Sequence, residues 1–561
     1  MEIGSQQRSL QTRPFLREWK RLWSEPLFAI ATIILALSII IFIVAPVFAV
    51  LLKSFGIGTG DFTVANYEKF FQTSYYINSL LNSVKAALIS TAAVVLLSVV
   101  VSLYVTRSQS FVAKTYRGIA LLPLVAPPFI FSLSLIILLG RNGVVTQYLN
   151  SWFGWEFSIY GFWGVVFAQI IGYFPVGYML VESTLRTTNT SLEQASQDLG
   201  ANQWKTIFNI TIPLAKSGII KAGLLVFVMA LADFSNPMII GGGLPFLASD
   251  AYLLVVGQQN IEMAAVLGVF LIVPSLLVFI FQTYFLKDTN LETISGESGG
   301  NNAPLKGTVK RVITTVTTIF IAFISLMFIM VVLGAFVKII GINNAFTLEH
   351  FSNQTGWDSL YNSIVVSFFG ALLAAGLGIL QGFLFARKAI PGKKLLEFLT
   401  LFGLAVPGTV MGIGYVLIFN GPPFFLTGTV MLLVLNMAFR KIGVGLEAGI
   451  SKMHQIDTSM EEASQDLGAG PYRTFWSVVL PLLTPAFVAG FVYAFMTAMV
   501  SISSVIFLVS PGTNLAATYI LNLAEQARIG MASAMSFILI VIVLGCIGLL
   551  KILEKKSGVK V

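Results

Sequence analysis

About twelve runs of roughly 20 or more apolar residues punctuate this sequence, each long enough to cross a hydrocarbon layer about 30 Å thick as a helix. Backbone inside lipid must satisfy its own hydrogen bonds, which leaves helices or a closed barrel, and runs of this length select helices. The expected spans are 27–52, 80–106, 118–140, 160–181, 218–240, 264–286, 312–336, 362–386, 396–419, 429–447, 485–509 and 531–550. Composition agrees: 56% of the 561 residues are hydrophobic and 11% charged, against roughly 25% charged in a soluble domain. The chain reads as an all-α membrane protein. Its first run, "LFAIATIILALSIIIFIVAPVFAVLL", exceeds the apolar region of a signal peptide and lacks a small-residue cleavage site, so a retained span is expected.

A net charge of +9 would suit nucleic acid or anionic lipid, but its distribution favours a topological role. Arg8, Arg13, Arg17, Lys20 and Arg21 precede the first span, Arg107, Lys114 and Arg117 follow the second, and Lys551, Lys555 and Lys556 follow the last. The alternate loops hold few cations: Lys53, Lys69, Arg141, Lys338 and Arg528. The positive-inside rule then puts both termini in the cytoplasm. No nucleic-acid motif accompanies these charges, so membrane lipid and not nucleic acid is the expected surroundings. The single Cys546 excludes an intrachain disulfide.

The chain also repeats itself. "KDTNLETISGESGGNNAPLKGTVKR", 287–311, is polar and rich in Gly, Ser and Asn, the composition of a flexible linker. It separates an N-terminal half, 1–286, from a C-terminal half, 312–561, each with about six spans. "NSVKAALISTAAVVLLSVVVSLYVTR" (82–107) matches "NSIVVSFFGALLAAGLGILQGFLFAR" (362–387), and "LVAPP" (124–128) matches "LAVPG" (404–408). An even number of spans per half gives the copies one orientation, hence parallel repeats about an axis along the membrane normal.

The most similar segment is polar. "LEQASQDLGANQWKTIFNITIPL" (192–214) returns as "MEEASQDLGAGPYRTFWSVVLPL" (460–482), each in the cytoplasmic loop between the fourth and fifth spans of its half. Leu192, Ala195 and Leu199, and likewise Met460, Ala463 and Leu467, fall on one face of a short helix, with Glu193, Gln194, Gln197 and Asp198 opposite. Gly200 and Gly468 suit left-handed C-caps. A second short helix follows, with Trp204, Ile207 and Phe208 or Tyr472, Phe475 and Trp476. Such a helix-turn-helix forms a knob suited to a groove on a cytoplasmic partner. The alternative is an amphipathic helix lying on the bilayer, against which the acidic "SQDLGA" counts, since anionic headgroups attract Lys and Arg.

The pattern Gln194-Ala195-Ser196 to Gly200 with Ile212-Pro213, and Glu462-Ala463-Ser464 to Gly468 with Leu480-Pro481, resembles the EAA loop of permease subunits in binding-protein-dependent ABC importers. The whole chain resembles the fused two-domain permeases of the ferric iron type, through "LADFSNPMIIGGG" (231–243) and "SISSVIFLVSPGTNLAATYIL" (501–521) as well. The resemblance implies a type I importer permease fold in the bacterial inner membrane. It implies coupling helices that enter clefts on two cytoplasmic ABC ATPase subunits, with Glu193, Gln194, Ala195, Ser196 and Gly200, and Glu461, Glu462, Ala463, Ser464 and Gly468, as the coupling residues. Gln194 stands where the family usually has Glu, a weaker charge contribution from that loop. An extracytoplasmic solute-binding protein would deliver substrate, with ferric iron expected and a phosphonate, sugar phosphate or other small solute as alternatives.

The chain lacks G-x-x-x-x-G-K-[ST], its nearest approach being "PGKK" (391–394). No cofactor is therefore expected here; ATP and Mg belong to the partner ATPases, and this chain supplies no catalysis. For the substrate pathway the candidates are Asp233 in the fifth span, costly in hydrocarbon unless it faces a wet cavity or a partner, its repeat counterpart Ser501, and Asn236, Ser503 and Ser504 nearby. Asp233 could instead be solvated near the external end. Arg440 would favour an anion, if it and Lys441 do not snorkel to the inner surface. A hard ferric ion wants oxygen ligands, and His350 and His454, both expected in loops, are too far apart in sequence to suggest a metal site. A secondary transporter with six plus six spans would share this topology, but intramembrane ionisable groups for ion coupling are scarce. A membrane enzyme lacks any nucleophile and base arrangement.

Overall fold

A computed structural model of the protein describes residues 18–19, 22–57, 62–108, 110–154, 158–188, 191–286 and 304–557. Arg8, Arg13, Arg17, Lys20, Arg21 and the linker as far as residue 303 lie outside them. Among the described residues nine helices are long and apolar enough to cross a membrane, or up to eleven if each of two bent pairs counts as one. The run expected at 429–447 is a further 26-residue helix, Val430–Gln455, interrupted chemically by Arg440, Lys441 and Glu447. The seventh span, Gly307–Phe336, starts inside the stretch read as linker, because Leu305 and Val309 find buried positions there.

Several spans are bent or broken where proline dictates. The third run divides into Phe111–Leu121, a turn at Leu122–Val125 and Ile130–Leu139. The ninth divides into Lys393–Ala405 and Gly408–Phe419, bent by 108°. These breaks sit on the repeated "LVAPP" and "LAVPG": Ala126 and Val406, each before a proline, are extended at ψ 144° and 129°, since the proline ring excludes the helical region for its predecessor. The fifth span stops at Leu231 and resumes as Ser235–Ile240. Three other prolines are each met by a widened turn, and only after Pro213 does the helix also bend, by 68° between Leu214 and Lys216. Single π-turns at Ile40–Val44, Ile207–Thr211 and Phe475–Val479 precede Pro46, Pro213 and Pro481, and the widened turn accommodates the lost N–H.

The halves are interlocked because each lends its first span to the other. Phe42 of Pro26–Ser54 stacks on Phe439 at 4.6 Å between ring centroids and receives the Tyr415 hydroxyl on its carbonyl at 2.9 Å. At the end of that span Glu25 pairs with Lys388 at 2.5 Å. Reciprocally, Phe320 of the seventh span meets Phe174 at 4.6 Å, and Ser134 Oγ donates to the Met327 carbonyl at 2.9 Å. Within the second half the helices Gln354–Arg387 and Val430–Gln455 touch backbone to backbone. A Cβ on Gly378 would lie 2.6 Å from Gly445 Cα, and one on Gly382 2.9 Å from Gly449 Cα. Paired G-x-x-x-G segments provide this close approach, the main route to helix association where no hydrophobic force acts between helices in lipid.

Candidate functional site

The two loops between the fourth and fifth spans fold alike. Helices Ser191–Asp198 and Ser459–Asp466 end at Gly200 (φ 88°) and Gly468 (φ 84°). The Ala201 N–H reaches the Ser196 carbonyl at 3.1 Å, and the Ala469 N–H reaches that of Ser464 at 3.1 Å. This six-to-one bond through a left-handed residue is the helix stop that glycine permits. Each helix is then tied to the next, Gln203–Leu214 or the start of Pro471–Met499, by a hydroxyl pair: Ser196 with Thr206 at 3.1 Å, Ser464 with Thr474 at 3.0 Å. At the entrance to the second copy, Asp457 accepts the Ser459 N–H at 3.0 Å, which holds its carboxyl below the usual range.

The inward face differs from the one read in the sequence. Glu193 is buried in an ion pair with Arg107 and accepts from Thr211 Oγ1 at 2.9 Å. Glu461 pairs with Arg387 at 2.5 Å. Both arginines end the second span of their half, and both glutamates anchor the loop to the membrane domain instead of facing a partner. The exposed surface comprises Gln194 and Ala195, or Glu462 and Ala463, with Leu199 90% and Leu467 89% exposed at the tips. The apolar stripe thus points outward at its end, because the acidic side has a charge partner waiting and the leucine has none. Arg107, Arg387, Thr206, Thr211 and Thr474 were missed; the shared terminal arginine of the matched spans was the available signal.

The loops differ in one attachment. Gln203 Nε2 donates to the Pro304 carbonyl at 3.0 Å and its Oε1 accepts the Lys306 N–H at 2.8 Å, so the chain entering the seventh span is clasped to the first loop. Pro471 occupies the equivalent position of the second.

Inside the membrane domain the broken spans gather polar groups. Asp233, in the gap of the fifth span, is buried and not solvated at the external end. Its Oδ2 accepts from Asn236 Nδ2 at 2.8 Å and Gln169 Nε2 at 3.1 Å, and its Oδ1 accepts from the Ser235 and Asn236 N–H groups at 3.2 and 3.3 Å. Ser132 Oγ donates to Asn236 Oδ1 at 2.7 Å, and Ser90 Oγ to Gln169 Oε1 at 2.9 Å. The carboxylate thereby caps the broken helix, and four backbone and amide donors replace water around it.

In the second half Arg440 does not snorkel. Its Nη1 donates to Ser504 Oγ at 2.9 Å, and Ser504 donates onward to Asn436 Oδ1 at 2.7 Å. Ser503, half-buried, fills the space beside Gly408, its Oγ 1.9 Å from where a Cβ would stand. Ser501 is half-buried with no side-chain role beside Arg440. The two clusters flank an aromatic bridge: Tyr252 lies 4.9 Å from Phe234 and 5.6 Å from Phe507 between ring centroids, in edge contact with each. Gln169, Ser132 and Asn436 were not foreseen, since nothing in a linear reading brings these helices together. Among the described residues no three His, Cys, Asp or Glu side chains converge as metal ligands. His350 Nε2 lies 3.1 Å from the Val337 carbonyl, and His454 sits in the last turn of Val430–Gln455 and not in a loop.

The comparisons with known proteins cover most of the chain. The family described as binding-protein-dependent transport system inner membrane component matches twice, over residues 98–290 and 374–558, one match per half. The chain is 34% identical over 532 residues to the ferric transport system permease protein FbpB of Actinobacillus pleuropneumoniae, covering 92% of this chain and 77% of the relative. It is 33% identical over 508 residues to the putative ferric transport system permease protein FbpB 1 of Haemophilus influenzae, covering 88% and 80%. A partial relative, the molybdenum transport system permease protein ModB of Escherichia coli, is 34% identical over 137 residues, 23% of this chain and 59% of its own. Two matched helical halves with their paired loops are thus a permease subunit of an ABC importer in the inner membrane, a transport component and not an enzyme, and the chain belongs to the family of binding-protein-dependent transport system inner membrane components.

Proposed function

We propose that this chain is the two-half translocation unit of a ferric iron importer, driven by two separate ATPase subunits that bind ATP and Mg and fed by a solute-binding protein outside. The observation that carries the coupling role is the duplicated knob. Two helices of one geometry project Leu199 and Leu467 outward while Arg107–Glu193 and Arg387–Glu461 fasten them to the second span of their half. A rigidly anchored, outwardly apolar tip is what a motor needs to grip, since force on the tip passes through the ion pair into a membrane helix. The ferric assignment is supported by relatives bearing that name along 92% and 88% of this chain.

In the proposed cycle ATP binding draws the ATPases together and with them the two knobs, the halves rock about their interlocked first spans, and hydrolysis resets them. Both termini face the cytoplasm, on the same side as the loops. The test is ferric uptake by proteoliposomes holding the permease, its ATPases and its binding protein. Gly200→Val with Gly468→Val, which the left-handed backbone at both positions disfavours, should leave ATP hydrolysis uncoupled from uptake. Undiminished uptake by that double variant would sink the coupling role, and uptake of some other solute with none of ferric ion would sink the substrate.

A further inference from the structure

The direction of the hydrogen bonds around Arg440 defines a site. A guanidinium only donates, so Ser504 Oγ accepts from Arg440 Nη1, and its own proton goes to Asn436 Oδ1 at 2.7 Å. This arrangement turns Asn436 Nδ2 away as a further donor. Asn436 is fully buried, and its Nδ2 has no partner; neither has Arg440 Nε, nor the buried hydroxyl of Thr409. Arg440 Nη2 lies against Gly408, 3.1 Å from where a Cβ would stand, one residue before Thr409. Among the described residues no carboxylate lies within 4.0 Å of Arg440 or Lys441.

The first half shows what a completed network looks like. Offset by the 268 positions that separate Glu193 from Glu461, Ser504 corresponds to Asn236, Asn436 to Ala168 and Arg440 to Gly172. The first-half network ends on the Asp233 carboxylate, which accepts every donor aimed at it. The second-half network has a cation and spare N–H groups with no terminal acceptor. A membrane-embedded charge without a counter-charge is costly, and an anion with oxygen lone pairs would accept from these donors.

We propose that Arg440, Asn436 and Ser504, at the break of the ninth span, form an oxyanion-binding site in the second half. Its ligand is a phosphate or carboxylate group, either free in the pathway or the phosphate of a lipid headgroup. Where the site lies on the pathway, a point that rests on the importer reading above, a bare multivalent cation meets Arg440 as a like charge, whereas an anion or an anion-bound cation does not.

The experiment is equilibrium binding of inorganic phosphate to the purified full chain, first in maltoside micelles and then in nanodiscs containing phosphatidylglycerol. Saturable binding is expected, weakened at least about tenfold in R440Q and N436L, the loss typical of one charge-assisted hydrogen bond, and retained in R440K, which keeps the charge. Binding that persists in nanodiscs assigns the site to a free oxyanion. Binding in micelles that phosphatidylglycerol abolishes assigns it to a headgroup. Absence of saturable binding to the wild-type chain, or equal binding by a folded R440Q chain, overturns the proposal. Ferric uptake by the reconstituted wild-type complex is measured separately, so failure of the oxyanion site leaves the importer reading standing, and failure of uptake leaves the site standing.

Discussion

Arg387 donates from Nε to Glu461 Oε1 at 2.5 Å, joining the end of one membrane helix to the root of a cytoplasmic loop 74 positions later. The first half repeats the pair with Arg107 and Glu193, more deeply: side chains there are 3% and 5% exposed, against 15% and 15%. Breaking a buried pair costs about 3–5 kcal/mol, and the cost falls where water reaches the remaining charge, as it does more readily at Arg387 than at Arg107. Glu193→Ala should therefore lower the apparent melting temperature in detergent further than Glu461→Ala. Equal shifts would mean that burial does not set the strength of the two anchors.

Which parts of this were legible beforehand follows from the range of the interactions. Span existence and the duplication were visible because apolar length and repeated local sequence are themselves linear. The bends were encoded in "LVAPP" and "LAVPG" but averaged away by runs that stay apolar across the proline. The orientation of the loop helix was misread because eight residues give a wheel with two plausible faces, and Arg107, 86 positions upstream of Glu193, chooses between them. Asp233 was visible as a costly carboxylate; its partner Gln169 lies 64 positions away, on a helix whose rotation no local pattern sets.

The two loop glycines allow conformation to be separated from packing. A Cβ on Gly200 or Gly468 would meet nothing within 4 Å, yet φ is 88° and 84°, in the region where L-residues are strained by roughly 1–2 kcal/mol. Gly468→Asn, tolerant of a left-handed backbone, should retain most uptake in proteoliposomes. Gly468→Val should lose it at equal protein abundance. Equal activities would show that the helix stop is not needed for coupling.

Asp233→Asn discriminates a structural carboxylate from a substrate ligand. Both oxygens of Asp233 accept from donors, so an amide placed there in either orientation sets its NH2 against an N–H and leaves buried donors unpaired, at about 1–3 kcal/mol. Thermal unfolding of the variant without substrate should shift downward. A variant of unchanged stability with impaired uptake would return Asp233 to the pathway.

The exchange of first spans predicts how the chain tolerates being cut. The seventh span, Gly307–Phe336, packs Phe320 on Phe174 and Phe328 on Phe131 at 5.7 Å, and receives the Ser134 hydroxyl at Met327. The first span in turn packs Phe28 on Phe383 at 5.6 Å and Phe42 on Phe439. Either half alone would display to lipid a face built of grooves, with Ser134 lacking its interhelical acceptor, and would keep a first span stripped of its cross-half aromatic packing. Residues 1–286 and 304–561 expressed together should copurify from a mixed-tag preparation and support uptake, because the cross-half contacts of both first spans are preserved. Expressed singly, each should accumulate to far lower levels. Independent accumulation of the two halves, followed by failure to associate on mixing, would show that the interlocking is not what holds them together.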